Sequence, residues 1–138
     1  MTDHSIKGKT VLIAGGAKNL GGLIARDLAA HGACAIAIHY NSAATKPAAD
    51  ETIAALKAQG VEAVAFQHDL RTAAGNTKLV ANAVAAVGRP AIAIPTGGKV
   101  LKRPIAETSE QVFDAMFDRN PPSTFFLLQA AVEHPQHT

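Results

Sequence analysis

Short apolar runs separated by stretches of helical periodicity constrain this chain more than any other feature. The runs are Val11–Ile13, Ala33–Ile38, Val61–Phe66 and Ala91–Ile94. They are nearly continuous and do not alternate with polar residues, which is the pattern of strands buried on both faces. Between them, apolar residues return at helical spacing: Leu20, Leu23, Ile24 and Leu28, then Ile53 and Leu56, then Leu79, Val80, Ala83, Val84 and Val87. Gly32, Gly60 and Gly88 each stand just past a helical pattern and just before a strand, where a left-handed C-cap favours glycine. Pro47 suits the first turn of the second helix, and Thr108 followed by Gln111 predicts a capping box that opens a fourth. Strand–helix alternation with short links predicts an α/β architecture, a parallel sheet covered on both faces. No repeat beyond that alternation, no low-complexity tract and no linker interrupts the sequence, so residues 1–138 are read as one domain.

Composition narrows the class. Hydrophobic residues make up 48% and charged residues 17%, a globular balance. The net charge is +2 with no lysine or arginine run, so no nucleic-acid partner is expected. The first residues lack the basic and apolar regions of a signal peptide, and no stretch suits a bilayer span. The expected location is cytoplasmic, with no membrane partner. Cys34, the single cysteine, lies in an apolar run and is read as a buried structural thiol. His4, His31, His39, His68, His134 and His137 are scattered, and Pro135 between the last two argues against a metal site.

The first apolar run leads straight into Ala14-Gly15-Gly16-Ala17-Lys18-Asn19-Leu20-Gly21-Gly22 and then into a helix. Glycines let a backbone approach a pyrophosphate, and a helix N-terminus offers free N–H groups and a positive dipole end. A purely structural turn is the alternative, but the strand–turn–helix setting favours a phosphate site.

Gly15-x-x-x-Asn19-Leu20-Gly21 resembles the Thr-Gly-x-x-x-Gly-Ile-Gly signature of the short-chain dehydrogenase/reductase family. Ala14 replaces the threonine and Asn19 the middle glycine. Asparagine is the residue best able to replace glycine where φ is positive. His68-Asp69-Leu70 resembles the family's Asp-Val pair, in which the carboxylate holds the adenine amino group and the next residue's backbone supports the ring. A helix N-cap or turn role is the plainer alternative for Asp69. Ile94-Pro95-Thr96-Gly97-Gly98 sits where the family has Asn-Asn-Ala-Gly, although Pro95 lacks the N–H that asparagine would offer. Asn120 matches the asparagine of the family's catalytic tetrad, which helps hold a proton-relay water, and Pro121-Pro122 should break the helix there.

The resemblance covers essentially the whole chain. It implies a Rossmann-type doubly wound parallel sheet of strand order 3-2-1-4, truncated relative to the family, with strands near residues 9–14, 33–39, 61–67 and 91–95. It also implies that a dinucleotide is bound by Gly15, Ala17, Lys18, Asn19, Leu20, Gly21, Tyr40, Asn41, Ser42, Asp69, Leu70, Thr96 and Gly97. The family's serine and Tyr-x-x-x-Lys pair lie beyond residue 138 in its usual layout. The only tyrosine here, Tyr40, is followed four residues later by Ala44.

Enzymes of this type that use NAD place an acid about 20 residues past the fingerprint to hold the ribose diol. Here the second run ends His39-Tyr40-Asn41-Ser42, and no acid occurs between Asp27 and Asp50. Lys18 sits where related NADP enzymes carry a basic residue, against the alternative of a solvated surface lysine. NADP(H) is therefore expected over NAD(H), in an oxidoreductase that transfers a hydride between nicotinamide and a carbonyl or alcohol substrate. The alternative is a non-catalytic dinucleotide-binding or interaction module derived from the family. A phosphoacceptor receiver would need an acidic pair where Ala14-Gly15-Gly16 stand, and is rejected. Finally, Ser123 to Val132 is apolar around most of a helix. One side can pack on the sheet; the other needs a partner chain or a missing part of the domain, and a homo-oligomer through 123–132 is expected.

Overall fold

The computed structural model describes residues 4–98, 102–119 and 121–133. The strands are β1 (Thr10–Ala14), β2 (Ala35–Tyr40), β3 (Glu62–Gln67) and β4 (Ile92–Pro95). They form one sheet in the order β3-β2-β1-β4, every neighbouring pair parallel. The helices are α1 (Asn19–Ala30), α2 (Lys46–Ala58), α3 (Ala73–Val87), α4 (Glu110–Arg119) and α5 (Pro121–Glu133). This is the doubly wound Rossmann-type order that the sequence predicts, with strand ends within two residues of those expected. α4 ends at Arg119 and α5 begins at Pro121; the break expected next to Pro121-Pro122 falls on residue 120, which lies outside the described residues.

The inner strands are buried on both faces because each residue serves one of two cores. Val11, Ile13, Ile36 and Ile38 face Ala25, Leu28 and Ala29 of α1 and Ala49 and Leu56 of α2. Leu12, Ala14 and Ala37 face Leu79, Val80 and Ala83 of α3 and Leu127 and Ala130 of α5. The edge strands β3 and β4 are only partly buried, which explains Glu62 within an otherwise apolar run. Gly32, Gly60 and Gly88 take φ of 95°, 81° and 86°, ending α1, α2 and α3 as expected.

Three local expectations are overturned. In α1, Leu20 and Leu23 are 63% and 66% exposed, and the helix packs instead through Gly21, Gly22, Ala25, Leu28 and Ala29. Small residues bring the α1 backbone close to the sheet, which turns the larger leucines outward. Cys34 is exposed rather than buried: it precedes β2, beside Ala33, and its Sγ lies 3.7 Å from Thr10 Oγ1. The cap of α4 is Ser109, whose hydroxyl accepts from the Val112 N–H, while Thr108 donates to the Pro104 carbonyl. With valine three residues past the cap, the reciprocal half of a capping box is missing.

Helix α5 buries Leu127 completely but leaves Phe125, Leu128 and Val132 61%, 44% and 79% exposed. On the neighbouring α4, Phe113 and Phe117 stack with centroids 4.7 Å apart and are themselves more than half exposed. Leu127→Ala should therefore cost about 2–5 kcal/mol of stability, whereas Val132→Ala should stay within about 0.5 kcal/mol. Urea unfolding of both variants checks this; equal costs would mean that α5 does not close the second core.

Candidate dinucleotide site

The strand order itself locates a site. The chain leaves β1 toward β2 and β3 on one side and returns to β4 on the other. The connections therefore diverge at the carboxyl end of β1, where an open parallel sheet forms a crevice. A cleft of about 390 Å³ lies there. It is lined by the turn after β1, the ends of β2 and β4, the loop after β3 and the start of α5.

The turn after β1 is shaped by close backbone contacts. Gly15 has φ of +75°, and a Cβ there would come within 2.8 Å of the Gly97 nitrogen and 2.9 Å of Thr96 Oγ1. A Cβ on Gly21 would collide with the Gly15 carbonyl. Asn19 is the only non-glycine residue with positive φ among those described, at 54°, which matches its reading as a glycine substitute. Thr96 fastens the turn from the β4 side, its N–H and hydroxyl both donating to the Ala14 carbonyl at 2.9 and 2.6 Å. Thr52 of α2, 1% exposed, donates to the Ala17 carbonyl at 2.6 Å. Lys18 is the exposed N-cap of α1, and no side chain caps the helix.

On the β2 side, His39 is 3% exposed and both ring nitrogens are engaged. Its Nδ1 accepts the Gly15 N–H at 3.1 Å, and Nε2 lies 2.8 Å from the His68 carbonyl. Burial, the largest influence, pushes its pKa below the ordinary 6.5, helped by nearby His68 and opposed by the hydrogen bond to the His68 carbonyl and by Asp69. A histidine that resists protonation when folded contributes stability that is complete above pH 6.5 and is lost as the pH falls below it.

After β3, the Asp69 carboxylate accepts the Arg71 N–H at 3.0 Å and pairs with the Arg71 guanidinium through contacts of 2.7–3.1 Å. Asp69 thus makes a turn contact as well as lining the cleft. The N-cap of α3 is Thr72, which accepts from the Gly75 N–H. Asn76, fully buried, donates to the Leu70 and Thr72 carbonyls and anchors the same loop.

Gly15, Ala17, Lys18, Asn19, Leu20, Gly21, Tyr40, Asn41, Asp69, Leu70, Thr96 and Gly97 all line this cleft. Ser42 does not: it is exposed, and its carbonyl accepts the Thr45 N–H of a short turn that brings Thr45 to the cleft instead. Asn120 lies outside the described residues. The sequence reading missed Arg71, Thr45, Ser123 and Thr124 in the lining, and gave His39 no role in it. None carries a local signature, since chain folding alone brings them here. Among the described residues, no cluster of three or more His, Cys, Asp or Glu is placed to hold a metal, and no helix is long and apolar enough to cross a membrane.

These features define a doubly wound Rossmann-type layer with a glycine turn at its switch point. Residues 9–137 match the sequence profile of short chain dehydrogenases. A short chain dehydrogenase/reductase of Aspergillus novofumigatus is 34% identical over 130 residues, covering 94% of this chain and 48% of that protein. A dehydrogenase from Burkholderia cenocepacia with bound NADP is 57% identical, with a TM-score of 0.88 over 94% of this chain and 49% of that one. A metagenomic blue fluorescent protein in complex with NADPH is 30% identical, with a TM-score of 0.84 over 95% of this chain and 53% of that one. The chain belongs to the short-chain dehydrogenase family of oxidoreductases. It spans about half the length of the relatives it matches.

The φ of Asn19 generates a stability test. Asn19→Gly should leave stability within about 1 kcal/mol, whereas Asn19→Val should lose about 1–2 kcal/mol, because a β-branched residue is penalised in the left-handed region. Thermal unfolding compares them, and indistinguishable melting would show that the turn does not depend on this conformation.

Proposed function

We propose that residues 1–138 form one dinucleotide-binding domain whose cleft takes NADP(H) in preference to NAD(H). The observation that carries this reading is the glycine turn at the switch point. A Cβ on Gly15 or Gly21 would fill space that the close packing of the turn requires, and that packing leaves the uncapped start of α1 beside the cleft. The pyrophosphate would lie against the backbone from Gly15 to Gly21, where the uncapped N-terminus of α1 and its dipole favour an anion. Asp69 and Leu70 would hold the adenine, Tyr40 and Asn41 would flank its ribose, and Thr96 and Gly97 would lie by the nicotinamide ribose. The end of β2 carries no acid to repel a 2′-phosphate, and Lys18 and Arg71 both line the cleft. That two structural relatives were captured with NADP and NADPH supports the same choice.

The bound nicotinamide would supply or accept a hydride, with a carbonyl or alcohol carbon as its partner. Asn120 is the residue of this chain that would help hold a proton-relay water. The family's tyrosine–lysine pair has no counterpart here, since Tyr40 is the sole tyrosine and Ala44 stands four residues on. Residues 1–138 would therefore supply the cofactor-binding part of this chemistry.

Titration with NADP⁺ and NAD⁺ tests the cofactor choice. One hydrogen bond to a charged phosphate is worth roughly 1.5–3 kcal/mol, about 10- to 150-fold in affinity. NADP⁺ should bind more tightly by that order, and Lys18→Ala should remove most of the difference. Equal affinities in the parent chain would refute the assignment.

We also propose that the exposed apolar residues of α5 meet a second copy of the chain. The full exposure of two such side chains forgoes roughly 3–6 kcal/mol of burial. Sedimentation at micromolar concentration should report a dimer or larger species. Phe125 is more exposed than its neighbour Phe126, so Phe125→Glu should shift the population toward monomer. A parent chain that stays monomeric throughout would exclude this interface.

A further inference from the structure

His39 joins the two halves of the cleft. Gly15 N–H can only donate and the His68 carbonyl can only accept, so one form of the ring satisfies both: neutral, with its proton on Nε2. The His39 main-chain carbonyl also accepts the Gly16 N–H at 3.1 Å. One buried side chain thus fastens the glycine turn on one side and, on the other, the residue next to Asp69. A protonated ring would set N–H against N–H at Gly15.

We propose that His39 is a positioning residue that, in its neutral Nε2–H form, holds the glycine turn and the Asp69 loop at the spacing a dinucleotide requires, and that its protonation releases the turn. This rests on the reading of the cleft as an NADP(H) site. The titratable groups acting on the ring are His68 and Asp69, both at the end of β3; the first disfavours its positive charge and the second favours it. From the glycine turn it meets the Gly15 amide. Burial keeps the ring neutral at pH 7, so cofactor affinity should fall as the pH is lowered.

Two substitutions separate the links. His39→Asn places an amide oxygen near the former Nδ1 and keeps an acceptor for Gly15, while His39→Gln reaches toward His68 and abandons Gly15. Binding of NADP⁺ is measured by calorimetry for the parent and both variants from about pH 7.5 to about pH 5, the range in which a buried histidine titrates. At the upper pH, His39→Gln, which gives up the Gly15 link, should bind roughly threefold to tenfold more weakly than the parent, as expected for one lost hydrogen bond. At the lower pH, the parent should lose a further factor of the same order that His39→Asn does not lose. His68 and the 2′-phosphate titrate in all three proteins, so the difference between them isolates His39. Parallel pH profiles would overturn the proposal.

A second measurement needs no ligand. The imidazole ¹⁵N shifts of the parent should report an Nε2–H tautomer at neutral pH, and the Gly15 amide should lose exchange protection on acidification in the parent but not in His39→Asn. An Nδ1–H ring, or Gly15 protection that is insensitive to pH, overturns the coupling. Correct ring chemistry without NADP⁺ binding would instead refute the cofactor reading and leave the coupling standing.

Discussion

The start of α1 lies so close to the end of β1 that position 21 has no room for a Cβ beside the Gly15 carbonyl. A sheet whose central strand is buried on both faces must send its chain out through a turn of this kind. Once the turn is this tight, the first turns of the helix cover the sheet through small residues, and Gly22 and Ala25 follow. The turn lies at the carboxyl edge, where β4 departs in the other direction. Thr96, Thr52 and His39 then hold the turn from β4, α2 and β2 respectively.

How much of this the sequence discloses depends on whether a feature is local. The four strands are legible because burial on both faces leaves a nearly continuous apolar run, and the glycines that end α1, α2 and α3 are legible because positive φ selects them. Asn19 is legible for the same reason. The buried face of α1 is legible only in Ile24 and Leu28, because counting large apolar residues favours Leu20 and Leu23 over the small residues that make contact. His39 looks like one scattered histidine among six; only folding brings Gly15 and His68 to its two nitrogens. Arg71 is hidden in another way, since its pairing with Asp69 is set by the turn after β3 and not by a motif.

The distribution of apolar surface divides the molecule. The face bearing α1 and α2 covers one core, with Leu20 and Leu23 left outside on α1. The other face ends in α4 and α5, where aromatic side chains gather on the outside of a completed core. Family membership explains the layered architecture.

The exposed thiol of Cys34 has a practical consequence. It precedes β2, at the opposite end of that strand from Tyr40 and the cleft. At about 3.3 Å per residue, the strand sets the thiol on the order of 20 Å from the site. As the sole cysteine, it gives a single attachment point for a maleimide dye that leaves the cleft untouched. It can also join two chains covalently in air. Association through the aromatic face survives a reductant, whereas a disulfide-linked pair does not, so the two kinds of dimer separate in a single experiment.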